Sequence, residues 1–151
     1  MVRLFINSEN ICSLDATDKF EAIRELTHKA AAFHSMKDIA QFQKGVFQRE
    51  QEMSTGIGKG VAVAHGEYNH CDGIKVALGV SREGISYNAI DNEPVHIMFL
   101  IANPPGTWTE YLNILASIVR MVHNETLRNH LLHQNNPVKL HNFLREVFTP
   151  A

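Results

Sequence analysis

The chain has 151 residues, with 44% hydrophobic residues, 20% charged residues and a formal net charge of −2 at pH 7. That size and composition are typical of one globular domain with a sizeable core. The slight negative charge and the absence of a lysine and arginine cluster argue against nucleic acid as the main partner. The longest apolar run, Ile97 to Ala102, is far too short to span a bilayer, and the N-terminus does not read as a signal peptide.

Cysteine and histidine usage adds two expectations. Cys12 and Cys71 form no spaced framework, so we expect a reducing cytoplasm. Nine histidines are many for this length, and we expect most of them on helix surfaces, with one or two carrying the function. No repeat, low-complexity tract or domain boundary is visible. Residues 1–151 are therefore predicted to form a single domain, and no cofactor is predicted.

The first third of the chain predicts an edge strand and two amphipathic helices. Asn10 to Leu14 can supply the strand. Thr17 or Asp18 is a good helix N-cap, and apolar residues then recur at spacings of three and four from Phe20 to Phe33. A second helix is predicted within Ser35 to Glu52.

The middle of the chain predicts three buried strands separated by turns. Val61 to Ala64 has no polar face and indicates a short buried strand. Ile74 to Val80 alternates larger and small apolar residues and predicts a second strand, with a hairpin turn at Ser81 to Gly84. Ile85 to Ile90 is predicted to be shorter and more exposed. Val95 to Ala102 is nearly all apolar and predicts a central strand covered on both faces.

The last third predicts three helices. Asn103 to Gly106 has the composition of an active-site loop, although a simple linker is the alternative. A helix is predicted from about Thr107 to Val122. Its predicted buried face comprises Leu112, Leu115, Ile118, Val119 and Val122. Asn124 should cap a short helix, and Asn136-Pro137 should open the last one. Helices on both sides of several buried strands predict a three-layer α/β/α sandwich with a mixed central sheet of four to five strands.

One stretch, Ser54 to Gly66, shows the composition of a functional site. It begins with two hydroxyl side chains and a glycine-rich loop, continues into the first buried strand and ends on His65 and Gly66. We predict that His65 stands at the end of that strand, where ligands meet in α/β folds. Gly66 permits a sharp turn and the close approach of another group. A glycine-rich turn followed by a core strand capped by histidine is the alternative. A phosphate-binding loop is disfavoured because the Gly-Lys-Ser/Thr ending is absent.

Several stretches together resemble a known family. They are Arg49-Glu50, the stretch from Ser54 to Gly66, Gly84-Ile85, the run from Asp91 to His96, and the helix from Tyr111 to Arg120. In this order they resemble the enzyme IIA domain of the phosphoenolpyruvate-dependent sugar phosphotransferase system, mannitol/fructose class, which includes nitrogen-regulatory IIA proteins. The resemblance covers essentially the whole chain.

The resemblance implies a phosphocarrier with a phosphohistidine at His65. Arg49 would balance the phosphoryl dianion, and Ser54 or Thr55 would donate hydrogen bonds to its oxygens. Backbone N–H groups around the glycine after the histidine are further candidate donors. The implied partners are a histidine phosphocarrier protein as donor, a IIB component as acceptor, and a regulatory protein.

Two positions depart from the family pattern. Ala64 stands where proline usually precedes the active histidine, and Tyr111 stands where the family has a second histidine. Tyrosine donates a hydrogen bond but brings no positive charge at neutral pH. An apolar rim formed by Phe47, Ile57 and Trp108 would dock the carrier, with burial in the core as the alternative for all three.

Two other functions remain open at this point. One is a binding module without turnover, in which His65 is vestigial. The other is a metal hydrolase built on His65, His70, Cys71 and Asp72, whose spacing permits a loop cluster.

Overall fold

The structure is a computed structural model that describes residues 6–69, 73–133 and 136–148, with backbone alone for residues 137 and 144–148. Within these residues lie five strands: β1 (Ile11–Ser13), β2 (Gly56–Gly58), β3 (Val61–Glu67), β4 (Lys75–Ile85) and β5 (Val95–Asn103). The same ranges contain five α-helices: α1 (Lys19–Lys29), α2 (Ile39–Glu52), α3 (Trp108–Val122), α4 (Glu125–His133) and α5 (Pro137–Phe148). None of these helices has the length and apolar character needed to cross a bilayer.

The described strands form one mixed sheet in the order β1-β4-β5-β3-β2. The central strand, β5, pairs antiparallel with β4 and parallel with β3. β1 lies at one edge, parallel to β4, and β2 lies at the other, antiparallel to β3. Every residue of β5 except His96 is buried. The prediction that Val95 to Ala102 forms a central strand is therefore confirmed.

Successive residues of a strand point to opposite faces of a sheet, and β3 shows how this builds two cores. Val61 and Val63 pack on the side of α3, α4 and α5. Ala62 and Ala64 pack on the side of α1 and α2. The predicted α/β/α sandwich is therefore confirmed. By the same alternation, His65 faces the α3 side of the sheet.

Polar side chains cap three of the described helices where the sequence predicts. Asp18 caps α1 by accepting hydrogen bonds from the next helical N–H groups at 3.0 and 3.1 Å. Asn124 and Asn136 accept from the first turns of α4 and α5. The second helix instead begins later than the predicted start after Ser35, because Asp38 is its cap. One end differs from the prediction, because α1 stops at Lys29 and a separate 3-10 turn covers residues 31–33.

The predicted hairpin at Ser81 to Gly84 is wrong. β4 continues through these residues to Ile85, and its pairing with β5 shifts register between Val80 and Ile85. Gly84 has a φ of +98°, a backbone conformation that favours glycine. This conformation occurs at irregularities within strands as well as in turns. The stretch that follows is also less exposed than predicted, because Tyr87 is 1% exposed.

The buried face of α3 agrees with the prediction at Ile118 and Val122 but differs at other positions. Leu112 and Val119 are 44% and 38% exposed, whereas Tyr111, Ile114 and Met121 are buried. The helix is apolar over a wide arc, so spacing alone did not identify the face that meets the sheet.

Candidate active site

His65 lies inside β3, two residues before its end, and pairs with Ile101 of β5. This corrects the prediction that the histidine follows the strand. The next residue, Gly66, faces the α2 side, where a Cβ atom would come within 2.9 Å of the Val46 side chain and 3.3 Å of Phe42. Glycine at this position therefore lets α2 pack directly on the strand that carries His65.

One ring nitrogen of His65 has two neighbours. Nδ1 is 3.4 Å from the carbonyl oxygen of Val63 and 3.2 Å from the hydroxyl oxygen of Tyr111. The carbonyl can only accept, so it favours the tautomer with the proton on Nδ1. Within the described part of the chain, no hydrogen bond to Nε2 is recorded. In this tautomer the lone pair on Nε2 is therefore available to react.

The surroundings keep the imidazole of His65 neutral. Burial lowers its pKa below the ordinary value, and the positive charge of Arg49 lowers it further. The hydrogen bond to Val63 and the negative charge of Glu50 act in the opposite direction without reversing the shift. At neutral pH the ring is uncharged, which is the nucleophilic form.

Tyr111 connects His65 to the protein surface. Burial raises the pKa of its phenol, so the hydroxyl keeps its proton at neutral pH. Its ring lies 5.1 Å from the His65 ring, and the ring of Trp108 stacks on it at 5.2 Å with an interplanar angle of 22°. Trp108 is 62% exposed. Contacts between three rings therefore connect the half-buried His65 to the exposed Trp108.

The residues predicted as an apolar rim separate into two groups. Trp108 and Ile57, at 62% and 36% exposure, are accessible. Phe47 instead packs against the core on the α1 and α2 side, with its ring 5.5 Å from Phe20. Leu112, one turn after Trp108, is exposed and was missed because it was assigned to the buried face of α3. The spacing of four from Trp108 is the sequence signal that could have placed both on one outward face.

Arg49 lies in the last turn of α2 and directs charge toward the site. Its Nη1 donates to the carbonyl oxygen of Met53 at 2.7 Å. The guanidinium charge lowers the pKa of both His65 and Tyr111, so it lies within electrostatic range of both rings. None of the ion pairs among the described residues involves Arg49, and the partner of Glu50 is Lys19.

The two predicted hydroxyl donors are engaged inside the protein. Ser54 Oγ donates to the carbonyl oxygen of Tyr87 at 2.9 Å and accepts from the N–H of Gly56. Thr55 is 6% exposed, and its hydroxyl donates to the carboxylate of Glu50. Donation by either hydroxyl to a phosphoryl group requires these bonds to be exchanged. Their role at the site stays a prediction.

A buried ion pair beside the site was missed by the sequence reading. Glu50 and Lys19 are 2% and 8% exposed, and they form an ion pair. The signal was available in α2, because Glu50 continues the spacing of four set by the buried residues Phe42 and Val46.

The metal-hydrolase alternative depends on four residues, of which the structure describes only His65. His70, Cys71 and Asp72 lie outside the described residues. Among the residues that are described, no group of three or more His, Cys, Asp or Glu side chains could hold a metal ion.

Comparison with known families identifies the class. Residues 4–147 match the model of the family described as phosphoenolpyruvate-dependent sugar phosphotransferase system, EIIA 2. The chain therefore belongs to this family, whose members are phosphotransferase components.

Relatives in the family include transport and regulatory proteins. The fructose-specific EIIABC component of Bacillus subtilis is 27% identical over 120 residues, which is 80% of this chain and 19% of that protein. This chain thus spans about a fifth of that multicomponent relative. A nitrogen regulatory protein of Bradyrhizobium diazoefficiens is 29% identical over 119 residues, covering 79% of this chain and 77% of the relative.

Solved structures share the fold. The nitrogen regulatory protein IIA-Ntr of Neisseria meningitidis has a TM-score of 0.83 at 22% identity, covering 93% of this chain and 96% of that one. Enzyme IIA-Mtl of Escherichia coli, solved in a complex with phosphorylated enzyme IIB-Mtl, has a TM-score of 0.72 at 20% identity, covering 93% and 96%.

Proposed function

We propose that this chain is a phosphocarrier that accepts a phosphoryl group on His65 from a histidine phosphocarrier protein and passes it to a IIB component. The observation that carries the proposal is the state of the His65 ring. Its Nδ1 faces the Val63 carbonyl and the Tyr111 hydroxyl, and burial lowers its pKa so that the ring is neutral. Those two features leave Nε2 as the nucleophile.

The transfer is a balanced exchange between two imidazoles. Nε2 of His65 attacks the phosphorus, a new N–P bond forms, and the N–P bond to the donor histidine breaks. The donor ring leaves as a neutral imidazole after taking up one proton, which balances the proton that Nδ1 of His65 loses. In the onward transfer, a nucleophile of IIB attacks the phosphorus, a new bond to phosphorus forms, and the N–P bond to Nε2 of His65 breaks. The His65 ring leaves as a neutral imidazole after regaining at Nδ1 the proton that the IIB nucleophile releases. Phosphoryl transfer needs mainly positioning and charge, so few side chains suffice.

Two features of the site suit a phosphoryl dianion. Arg49 supplies positive charge that lowers the pKa of both His65 and Tyr111. Backbone geometry adds a second feature. The N–H of Val63 points toward the loop before β2 and donates to Thr55, and strand N–H groups alternate in direction. The N–H groups of His65 and Glu67 therefore point toward the same edge, beyond the residues that pair with β2.

The surface around His65 suits a protein partner. Trp108 stacks on Tyr111, which contacts His65, and Leu112 extends the exposed apolar area along α3. Ile57 is accessible on β2. Exposed aromatic and aliphatic side chains of this kind supply the centre of protein interfaces. In the relative solved as a complex, the partner is phosphorylated IIB-Mtl, which agrees with IIB as the acceptor here.

The test is labelling with a phosphorylated histidine carrier protein that bears radioactive phosphate. We expect an acid-labile, base-stable adduct on the wild type and none on His65→Ala. Label that survives in His65→Ala would place the phosphohistidine at another of the nine histidines. A wild type that takes no label from a competent donor would instead support the binding module without turnover, which the replacement of a family histidine by Tyr111 favours.

A further inference from the structure

The buried ion pair between Lys19 and Glu50 is the feature that the proposed function leaves unexplained. The ammonium nitrogen lies 3.5 Å from Oε2 of Glu50, and the two side chains are 10% and 0% exposed. Removing two charges from water is costly, and their attraction offsets the cost only when the remaining hydrogen bonds are also made. The hydrogen bonds to the Glu50 carboxylate show which segments the ion pair holds in place.

The carboxylate of Glu50 joins three separate segments. It accepts from the backbone N–H of Thr55 at 3.2 Å and also from the Thr55 hydroxyl. It accepts from the hydroxyl of Tyr87 at 2.9 Å. Burial and the negative charge of Glu50 raise the pKa of Tyr87 well above its ordinary range, so this phenol remains a donor. With Lys19 added, the carboxylate links the start of α1, the loop after α2 and the segment after β4.

The loop held by Glu50 connects to His65 on one side and to Arg49 on the other. The carbonyl oxygen of Thr55 accepts from the N–H of Val63 at 3.0 Å, and the carbonyl oxygen of Val63 faces Nδ1 of His65. Two residues before Thr55, the carbonyl oxygen of Met53 accepts from the guanidinium of Arg49. A single three-residue segment therefore contacts both the strand that orients the nucleophile and the cation of the site.

We propose that Glu50 is a positioning residue of the site, with Lys19 as its counter-ion. By fixing the segment from Met53 to Thr55, the carboxylate holds the Val63 carbonyl where it selects the Nδ1–H tautomer of His65, and it holds the Met53 carbonyl where it accepts from Arg49. The consequence for phosphoryl transfer rests on the proposed function, whereas the consequence for the tautomer does not.

The chain offers a matched control in Glu25. Its carboxylate also accepts from two backbone N–H groups, those of Asp15 and Ala16, and it also forms an ion pair, with Lys29. It lies on α1, and among the described residues none of its hydrogen bonds or ion pairs involves a residue of the site. Glu25→Gln therefore reports what the loss of a comparable carboxylate does to the fold alone.

The experiment compares Glu50→Ala, Lys19→Met/Glu50→Gln and Glu25→Gln with the wild type. The ¹⁵N shifts of the His65 ring measure the tautomer. Phosphoramidate measures reactivity without a partner protein, because Nε2 attacks its phosphorus and ammonia leaves with the proton that the ring releases. We expect Glu50→Ala to mix the two tautomers and to react at least about tenfold more slowly, since small misplacements of reacting groups are costly.

In the double variant the amide oxygen of Gln can accept from the Thr55 N–H, and its NH2 group can donate to the hydroxyls of Thr55 and Tyr87, so the three segments stay linked without charge. We therefore expect the His65 tautomer in the double variant, and in Glu25→Gln, to match the wild type. A Glu50→Ala protein that retains the Nδ1–H tautomer and reacts within twofold of the wild type overturns the proposal. If Glu50→Ala does not fold, Tyr87→Phe removes one donor to the carboxylate, and an unchanged tautomer and rate in that variant overturn the proposal equally. A wild type that resists both phosphoramidate and the carrier protein refutes the proposed function, while the ¹⁵N measurement still decides the role of Glu50.

Discussion

The hydroxyl oxygen of Tyr111 lies 3.2 Å from Nδ1 of His65, although 46 positions separate the two residues. A hydroxyl can accept or donate, so this contact suits both states of the ring. While Nδ1 carries a proton, the tyrosine oxygen can accept it alongside the Val63 carbonyl. Once Nε2 carries a phosphoryl group and the ring is neutral, Nδ1 has a lone pair, and the tyrosine O–H can donate to it.

Tyr111→Phe should therefore destabilise the phosphorylated state. Loss of one hydrogen bond of ordinary strength corresponds to about 1 kcal/mol, or roughly a fivefold change. We expect faster hydrolysis of the phosphohistidine and slower net phosphorylation by the carrier, with little change in fold. The measurement is the decay of labelled protein at neutral pH. Equal decay in wild type and variant would show that the hydroxyl does not act on the phosphorylated ring.

Tyr111→His should act in the opposite direction. A protonatable imidazole can partly offset the phosphoryl dianion, which the neutral phenol cannot do. We expect faster transfer from the carrier than in the wild type, measured as the initial rate of labelling. A slower rate would mean that missing charge is not what limits transfer at this site.

Arg49→Gln removes the cation near the ring. Loss of one preorganised charged group typically lowers a rate by about 10²-fold, and we expect labelling to fall by that order. The same change should raise the pKa of His65, because the arginine charge lowers it. NMR titration of the ring supplies that second measurement. The control is Arg24→Gln, which removes an exposed arginine of α1. An equal fall in labelling in this control would contradict a specific role of Arg49.

The pH dependence of phosphorylation follows from the lowered pKa of His65. The neutral ring is the nucleophile, so the rate should rise with pH and level off with a midpoint below the usual value of 6.5. The sign for stability is the same. The unfolded chain binds the proton more readily, so the contribution of His65 is complete above the unfolded pKa and is lost as the pH falls. A midpoint above 6.5 in the rate profile would contradict the assignment.

Local sequence signals were sufficient for much of the fold. Asp18 and Asn124 begin helices because short polar side chains satisfy free N–H groups, and that chemistry is local. A central strand buried on both faces, such as Val95–Asn103, is also predictable from composition alone. The turn predicted at Gly84 is wrong, because glycine with positive φ occurs at an irregularity within a strand as well as in a turn.

Long-range partners were the part that the sequence did not reveal. The resemblance named Ser54 and Thr55 as phosphate donors, but their hydroxyls bond to Tyr87 and Glu50, which come from other parts of the chain. Likewise, Leu112 could be assigned to either side of an apolar helix until α3 was placed on the sheet. Such choices depend on tertiary packing rather than on local spacing.

We expect the substitution of glycine by alanine to have opposite effects on the free energy of unfolding at two positions of this chain. Gly45 lies within α2, and a Cβ added there meets nothing within 4 Å. Gly45→Ala should therefore raise the free energy of unfolding by about 1 kcal/mol through helix propensity. Gly66→Ala should lower it by about 1–3 kcal/mol, since its Cβ would press on Val46. Denaturant unfolding measures both, and equal effects would contradict the packing described for α2 on β3.

Trp108→Ala tests the docking surface. Because Trp108 is 62% exposed, the free energy of unfolding should change little, whereas truncating an exposed aromatic anchor typically weakens binding by about 2 kcal/mol. We expect a higher KM for the phosphorylated carrier. Val138→Ala, also exposed but on α5, should leave KM unchanged. Equal KM values for wild type and Trp108→Ala would show that the carrier docks elsewhere.

The strand order places β5 between β4 and β3 and so sets an expected sequence of assembly. β4 and β5 are consecutive and antiparallel, whereas β3 must bypass β4 to pair with β5 in parallel. Contacts that close longer loops form at greater entropic cost. The strand bearing His65 should thus dock late in folding, after β5 is in place. A nascent or partly folded chain would lack the contacts of His65 with Val63 and Tyr111 on which the proposed phosphoryl transfer depends.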